Sequence, residues 1–243
     1  RLFQNSACAG VSAPADAPLS QRPISEGLLS RCLRLNQIQV IGSHNSYKLP
    51  VTPEIFSLLA AFDAGLASSI EYSHVPLAEQ FSDQEVRQIE LDVFADPEGG
   101  LYARRVGLDV AGVPNDAPPE LSEPGFKVLH IQDLDFNSSC LTFVDCLQQV
   151  EDWSDDNPGH LPITILVELK DDPIPDPFDF GFTRPVEIGA AELDALDAEI
   201  RSVFGRRDLI TPDDVRGRRG TLEEAVLHDG WPTLRDAAGK VMF

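Results

Sequence analysis

Five short runs of β-branched and apolar residues, at 37–43 (QIQVIGS), 88–94 (QIELDVF), 127–131 (KVLHI), 163–170 (ITILVELK) and 240–243 (KVMF), alternate with helical patterns along the chain. This alternation constrains the fold more than any other feature, because strands separated by helices are βα units and βα units build a parallel sheet. Between the runs, Thr52-Pro53 opens a helix that continues through Leu58 and Leu59. Leu193, Leu196, Ile200 and Val203 form an apolar stripe closed by Gly205, and Thr221 with Glu224 has capping-box spacing. Residues 171–189 carry four prolines and follow a strand, which is where barrel enzymes place rim loops.

A chain of 243 residues is expected to form one α/β domain, and a TIM-type barrel is a common use of that length. Residues 1–30, rich in Ala, Ser and Pro without a period, are expected to be a leader lying on the surface of a barrel domain spanning 31–243. Only five strands are countable and the sequence stops inside the last, whereas a closed barrel needs eight. The expectation is therefore a barrel incomplete at its C-terminus. The first residue is Arg1 rather than Met, as after removal of a targeting segment or in a fragment.

Nineteen Lys+Arg against 40 Asp+Glu give a net charge of -21, which repels polyanions and argues against nucleic-acid binding. No apolar run is long enough to span a bilayer. Four cysteines, Cys8, Cys32, Cys140 and Cys146, favour an oxidising compartment, hence a secreted or periplasmic protein. In one continuous helix Cys140 and Cys146 would be about 9 Å apart along the axis, beyond the roughly 7 Å Cα limit for a bridge. A bridge between them needs a bend at 138–141; that arrangement is expected, leaving Cys8 to pair with Cys32. Four buried free thiols are the alternative.

Four of the apolar runs end in ionisable or metal-liganding residues: His44 and Asn45 after the first, Glu90 and Asp92 in the second, His130 in the third, Glu168 and Lys170 in the fourth. Parallel strands would bring these ends to one face of a barrel. Residues two apart share a side, so Glu90 goes with Asp92 and Glu168 with Lys170. A carboxylate buried in an apolar strand is costly unless paired or metal-bound, and three of them with one amide make an oxygen set suited to Ca²⁺. Each residue also has a plain reading: a histidine at a strand end is usually structural, Glu90 or Asp92 could pair with Arg87, and Lys170 could simply neutralise Glu168. His74, His160 and His228 are read as bystanders. The coincidence across four strands favours the site.

The stretches at 33–47 (LRLNQIQVIGSHNSY), 88–100 (QIELDVFADPEGG), 126–136 (FKVLHIQDLDF) and 163–172 (ITILVELKDD) resemble the bacterial and fungal Ca²⁺-dependent phosphoinositide phospholipase C-like proteins, relatives of the eukaryotic phospholipase C core. The resemblance runs from about residue 30 to the C-terminus. It implies a distorted TIM barrel of the phospholipase C-like phosphodiesterase type, with His44 and His130 as the catalytic pair and Asn45, Glu90, Asp92 and Glu168 around calcium. Metal-independent relatives carry Asp after the first His and an Arg in place of the metal; Asn45, Glu90 and Asp92 favour the calcium branch. The implied reaction is attack of an inositol 2-hydroxyl on the phosphodiester, with His130 as general acid and Glu90 or Glu168 as the base, giving diacylglycerol and a cyclic inositol phosphate. Lys170 is a candidate contact for a substrate phosphate, and Asp133 or Asp135 would orient His130. The implied partner is a phospholipid at a membrane surface, met peripherally. A glycerophosphodiester phosphodiesterase is the nearest competitor, but its His-Arg-Gly start does not match GSHNSY. A non-catalytic domain of the same fold is opposed by the intact histidines.

Overall fold

The computed structural model describes residues 28–243. Its sheet consists of β1 (Ile41–Gly42), β2 (Val86–Phe94), β3 (Lys127–Val128), β4 (Ile163–Leu169) and β5 (Val241–Met242). The order is β1-β2-β4-β5, all parallel, with β3 added antiparallel to β2. β4 pairs with β2 from Gln88↔Thr164 to Val93↔Leu169, along most of one edge of β2. β1 takes the start of the other edge at Val86 and Gln88, and β3 takes its end at Val93 and Phe94.

Among the described residues ten α-helices accompany this sheet: α1 (Leu28–Cys32), α2 (Pro53–Phe62), α3 (Ala64–Ser69), α4 (Leu77–Ser82), α5 (Val106–Ala111), α6 (Phe143–Asp156), α7 (Ala190–Val203), α8 (Pro212–Arg216), α9 (Leu222–His228) and α10 (Leu234–Ala237). Strand alternation sorts β2 into two faces. Ile89, Leu91 and Val93 join Ile163 and Ile165 of β4 in one core with Phe81 of α4, Phe143, Leu147 and Val150 of α6, and Leu196 and Ile200 of α7. A second core gathers Val51, Ile55, Ile70, Phe94, Tyr102, Leu108, Leu129 and Phe136. The opposite face of β2 carries Glu90 and Asp92, and on β4 the residues facing that way include Leu166, 53% exposed, so this side of β4 is open to solvent.

The expected helices at 53 and 193 form as read, although Leu193 itself is exposed. Pro53 starts α2 without a side-chain cap from Thr52. Thr221 caps α9, but Glu224 reaches the Gly220 amide rather than closing the box on Thr221. Two strands differ from expectation. The run at 37–43 pairs only over Ile41–Gly42, since Gln37 ends a 3-10 turn. The run at 127–131 enters the sheet beside the end of β2, where the chain had just left it, and a strand entering at that end must run antiparallel. A buried ion pair holds this entry: Lys127 Nζ lies 3.4 Å from Asp96 Oδ2 and donates to the carbonyls of Glu123 and Gly125.

The bend before α6 occurs, and Cys140 is bridged to Cys146 with Cα atoms 5.1 Å apart. The expected Cys8–Cys32 pairing, and nearly all of the expected leader at 1–30, involve residues outside those described. Residues 171–189 form no helix or strand. They are held by Asp171, which accepts from the Ile188 amide (3.1 Å), and by Asp133, which accepts from the Thr183 amide (2.6 Å).

Candidate active site

After β1 the chain stays alongside β2: the Ser43 amide donates to Gln88 O, the Ser46 amide to Glu90 O, and Ser46 Oγ accepts from the Glu90 amide (2.9 Å). Asn45 is turned between these contacts into the left-handed region (φ 47°), which Asn tolerates better than most residues. That turn sets its amide N–H 3.1 Å from Glu90 Oε2 and puts His44 Nε2 3.5 Å from the same oxygen.

Glu90, Asp92 and Glu168 each offer a ligand atom, and these atoms lie within 4.8 Å of one another. Asp92 and Glu168 are register partners across β2 and β4, which explains their approach. Burial, with Glu168 and Glu90 adding their charge, pushes the Asp92 carboxyl up to about 6 against the opposing pull of Lys170 and His130. Neither Asp92 oxygen makes a hydrogen bond, and the buried Oδ1 of Asn45 is also without a partner. A buried amide oxygen without a partner and a buried carboxylate met by the Lys170 ammonium, beside a crowded set of carboxylates, fit a Ca²⁺ ion.

Lys170 is the cation present at this cluster, 3.0 Å from Glu168 Oε1 and 3.4 Å from Asp92 Oδ2. Burial alone would depress its ammonium, but Glu168 and Asp92 outweigh burial and hold it above its ordinary range. The structural ion pair is therefore formed, and it takes in a second carboxylate.

His130 reaches the site along the antiparallel β3 rather than from the end of a parallel strand. A tight turn at Asp133 (φ 66°) returns the chain so that the His130 and Ile131 amides donate to Asp135 O. His130 Nδ1 then lies 2.8 Å from Asp135 Oδ2. Of the two candidates, Asp135 orients the imidazole, whereas Asp133 accepts from the amides of Val106 and Thr183.

Sequence reasoning missed two side chains. Tyr72, in a loop with no motif, accepts from Asn45 Nδ2 (2.6 Å) and lies 3.3 Å from His44 Nδ1. Lys48 is fully buried next to the GSHNSY motif and lies 3.3 Å from Asp135 Oδ2. Among the bystanders, His74 Nε2 donates to His44 O (2.8 Å), while His160 is buried against Ser154 and Leu161 on the far side of α6.

A family model described as "Phosphoinositide phospholipase C, Ca2+-dependent" matches residues 33–243. No curated protein matches the chain. Among solved structures, the chain is similar to a calcium-dependent phosphoinositol-specific phospholipase C from a Gram-negative bacterium, Pseudomonas sp, in its apo form. That match has 21% identity and a TM-score of 0.52, and covers 90% of this chain and 60% of the other. The myoinositol complex from the same source also aligns at 21% identity and TM-score 0.52, covering 91% and 61%. A Ca²⁺-dependent phosphatidylinositol-specific phospholipase C from Streptomyces antibioticus aligns at 24% identity over 84% of this chain and 50% of that one, with TM-score 0.47. The likeness to the Pseudomonas structures shows the TIM-barrel-like fold, and the chain spans about 60% of their length.

Proposed function

The chain belongs to the Ca²⁺-dependent phosphoinositide phospholipase C family, and from that premise we propose that it cleaves the phosphodiester of phosphatidylinositol-type lipids, using His44, His130 and the carboxylates between them. The observation that carries this reading is the convergence of Glu90, Asp92 and Glu168 within 4.8 Å, with His44 Nε2 3.5 Å from Glu90 Oε2 and with His130 near enough for its charge to pull the Asp92 carboxyl down.

Asn45, Glu90, Asp92 and Glu168 would hold the calcium ion, which when bound acidifies the inositol 2-hydroxyl and offsets phosphoryl charge. Glu168 is the base: it is the exposed member of the cluster and commits only Oε1, to Lys170, whereas Glu90 Oε2 already serves the Asn45 amide and His44. It takes the 2-hydroxyl proton as the new O–P bond forms. His44 donates from Nε2 to a phosphoryl oxygen. Protonated His130 gives its Nε2 proton to the departing diacylglycerol oxygen as the old P–O bond breaks, and Asp135 at Nδ1 holds the ring and offsets its charge. The products are diacylglycerol and a cyclic inositol phosphate, part of which is hydrolysed afterwards. Lys170, once relieved of Glu168, is placed to meet a phosphate of the head group.

In this reading residues 31–243 form the catalytic unit. The protein is extracytoplasmic and meets its lipid peripherally. The Cys140–Cys146 bridge supports that location, and no described helix is long and apolar enough to cross a membrane. The test is to incubate the protein with phosphatidylinositol vesicles in calcium or in excess chelator and to follow the water-soluble product by phosphorus NMR. A cyclic phosphate that requires calcium is expected; full turnover in chelator would overturn the calcium assignment.

A further inference from the structure

Lysine is almost never fully buried without partners, and the side chain of Lys48 has no exposure at all. Its ammonium has three N–H donors, and four acceptors surround it: Ile70 O at 2.9 Å, Tyr72 O at 3.0 Å, Asp135 Oδ2 at 3.3 Å and Leu49 O at 3.4 Å. It also sits 4.7 Å from the centre of the Tyr72 ring, within cation–π range. Asp135 is equally buried, and the oxygen facing Lys48 is the one that meets His130 Nδ1. The ring that Lys48 touches carries the hydroxyl that contacts Asn45 and His44.

We propose that Lys48 is a positioning residue for both imidazoles, holding the Asp135 carboxylate against His130 and Tyr72 in place behind His44. This rests on the roles given to the two histidines above. With Lys48 present, Asp135 accepts from His130 Nδ1–H and Nε2 is the nitrogen turned to the reaction. Without it, Asp135 loses the buried donor that fixes Oδ2 at His130 Nδ1, and the neutral ring is free to carry its proton on Nε2 instead of Nδ1, so the nitrogen turned to the reaction is no longer set by the Asp135 contact. A lysine that merely pinned the loop at 70–72 would leave the His130 ring unchanged.

The test uses the full chain with ¹⁵N-labelled histidine. In the wild type, the neutral His130 ring should show a protonated Nδ1 and a bare Nε2. Lys48→Met, of similar length and no charge, should exchange the two signals and lower kcat about 10- to 100-fold, the usual cost of losing an outer-shell partner, with KM within about threefold. Asp135→Asn should also lose the Nδ1–H pattern, and the double variant should be no worse than the poorer single one, as for residues acting through one contact. An unchanged His130 spectrum in Lys48→Met, or a loss confined to KM or thermal stability, would overturn the proposal. If Lys48→Met does not fold, the double variant decides, since removing both members of a buried pair is tolerated better than removing one. Wild-type kcat in that double variant would also overturn it. The spectra need no substrate. Predicted spectra in a protein inactive on phosphatidylinositol would therefore remove the assigned reaction and keep the role of Lys48, and a wild-type spectrum in an active Lys48→Met would do the reverse.

Discussion

His44 presents 70% of its side chain to solvent and takes its order from Tyr72 and the Glu90 carboxylate, whereas His130 presents 18% and backs onto the buried Asp135 and Lys48. The two rings are held by opposite logic. The Tyr72 hydroxyl accepts from Asn45, which leaves its own hydrogen for His44 Nδ1, and burial pushes Tyr72 up so that it keeps that hydrogen. His44 Nε2 therefore carries a proton even when the ring is neutral. His130 faces a carboxylate through Nδ1, so its Nε2 carries a proton only when the ring is charged. A neutral donor suits a hydrogen bond to a phosphoryl oxygen, and a charged ring suits proton transfer to a leaving group.

The strongest way to break this contrast is to remove each ring. His44→Ala and His130→Ala should each lower turnover by about 10²–10⁴-fold. A substrate whose leaving group needs no proton should restore most of the loss in His130→Ala and little in His44→Ala. Equal rescue in steady-state assays would show that the two roles are not divided this way. A smaller effect is expected of Tyr72→Phe, which removes the hydroxyl from His44 and Asn45 and keeps the ring over Lys48. Turnover should fall about 3- to 30-fold through the His44 side alone, in line with loss of an outer-shell hydrogen bond. Histidine NMR would sharpen the point: a shifted His44 ring with an unmoved His130 ring supports independent anchoring, and movement of both would sink it. The smallest change is expected of His74→Ala, which frees one bond to His44 O and should alter kcat by less than about threefold, since the backbone there is also held by the Ser46–Glu90 bonds. A tenfold loss in the same assay would make His74 part of the site rather than its edge.

The sequence made the His44 and His130 positions look alike, and physical reasons explain what it left out. Glu90, Asp92 and Glu168 were legible because β2 and β4 are long enough for period-two alternation to fix their faces, and register then brings them together. The first run was overread. β-Branched residues favour a strand but do not supply a partner, and Val40 and Ile41 lie exposed with pairing only to β2. The third run was read too long and in the wrong direction: only Lys127–Val128 joins the sheet, and direction depends on where the chain re-enters it, held here by the Lys127–Asp96 pair. Asp135 was one of two candidates for orienting His130, and only the turn at Asp133 separates them. Tyr72 and Lys48 left no periodic trace: a tyrosine in a loop and a lysine after a motif look like surface residues until tertiary contacts bury the lysine and half-bury the tyrosine.

The segment that carries the Cys140–Cys146 bridge runs beside the loop that carries His44. The Leu49 amide donates to Asn137 O, the Ser139 amide to Tyr47 O, and Lys48 pairs with Ser138 as an antiparallel bridge. A bridge closing so short a loop removes little freedom from the unfolded chain, about 2 kcal/mol on the entropy model, and the cores account for most of what keeps the chain folded. Its leverage is mechanical rather than thermodynamic: the covalent tie sits one hydrogen-bonded strand away from Lys48, whose ammonium lies 3.3 Å from the Asp135 oxygen that meets His130 Nδ1. A reductant would thus be felt as a loss of alignment while the molecule still looked native to any probe of its fold.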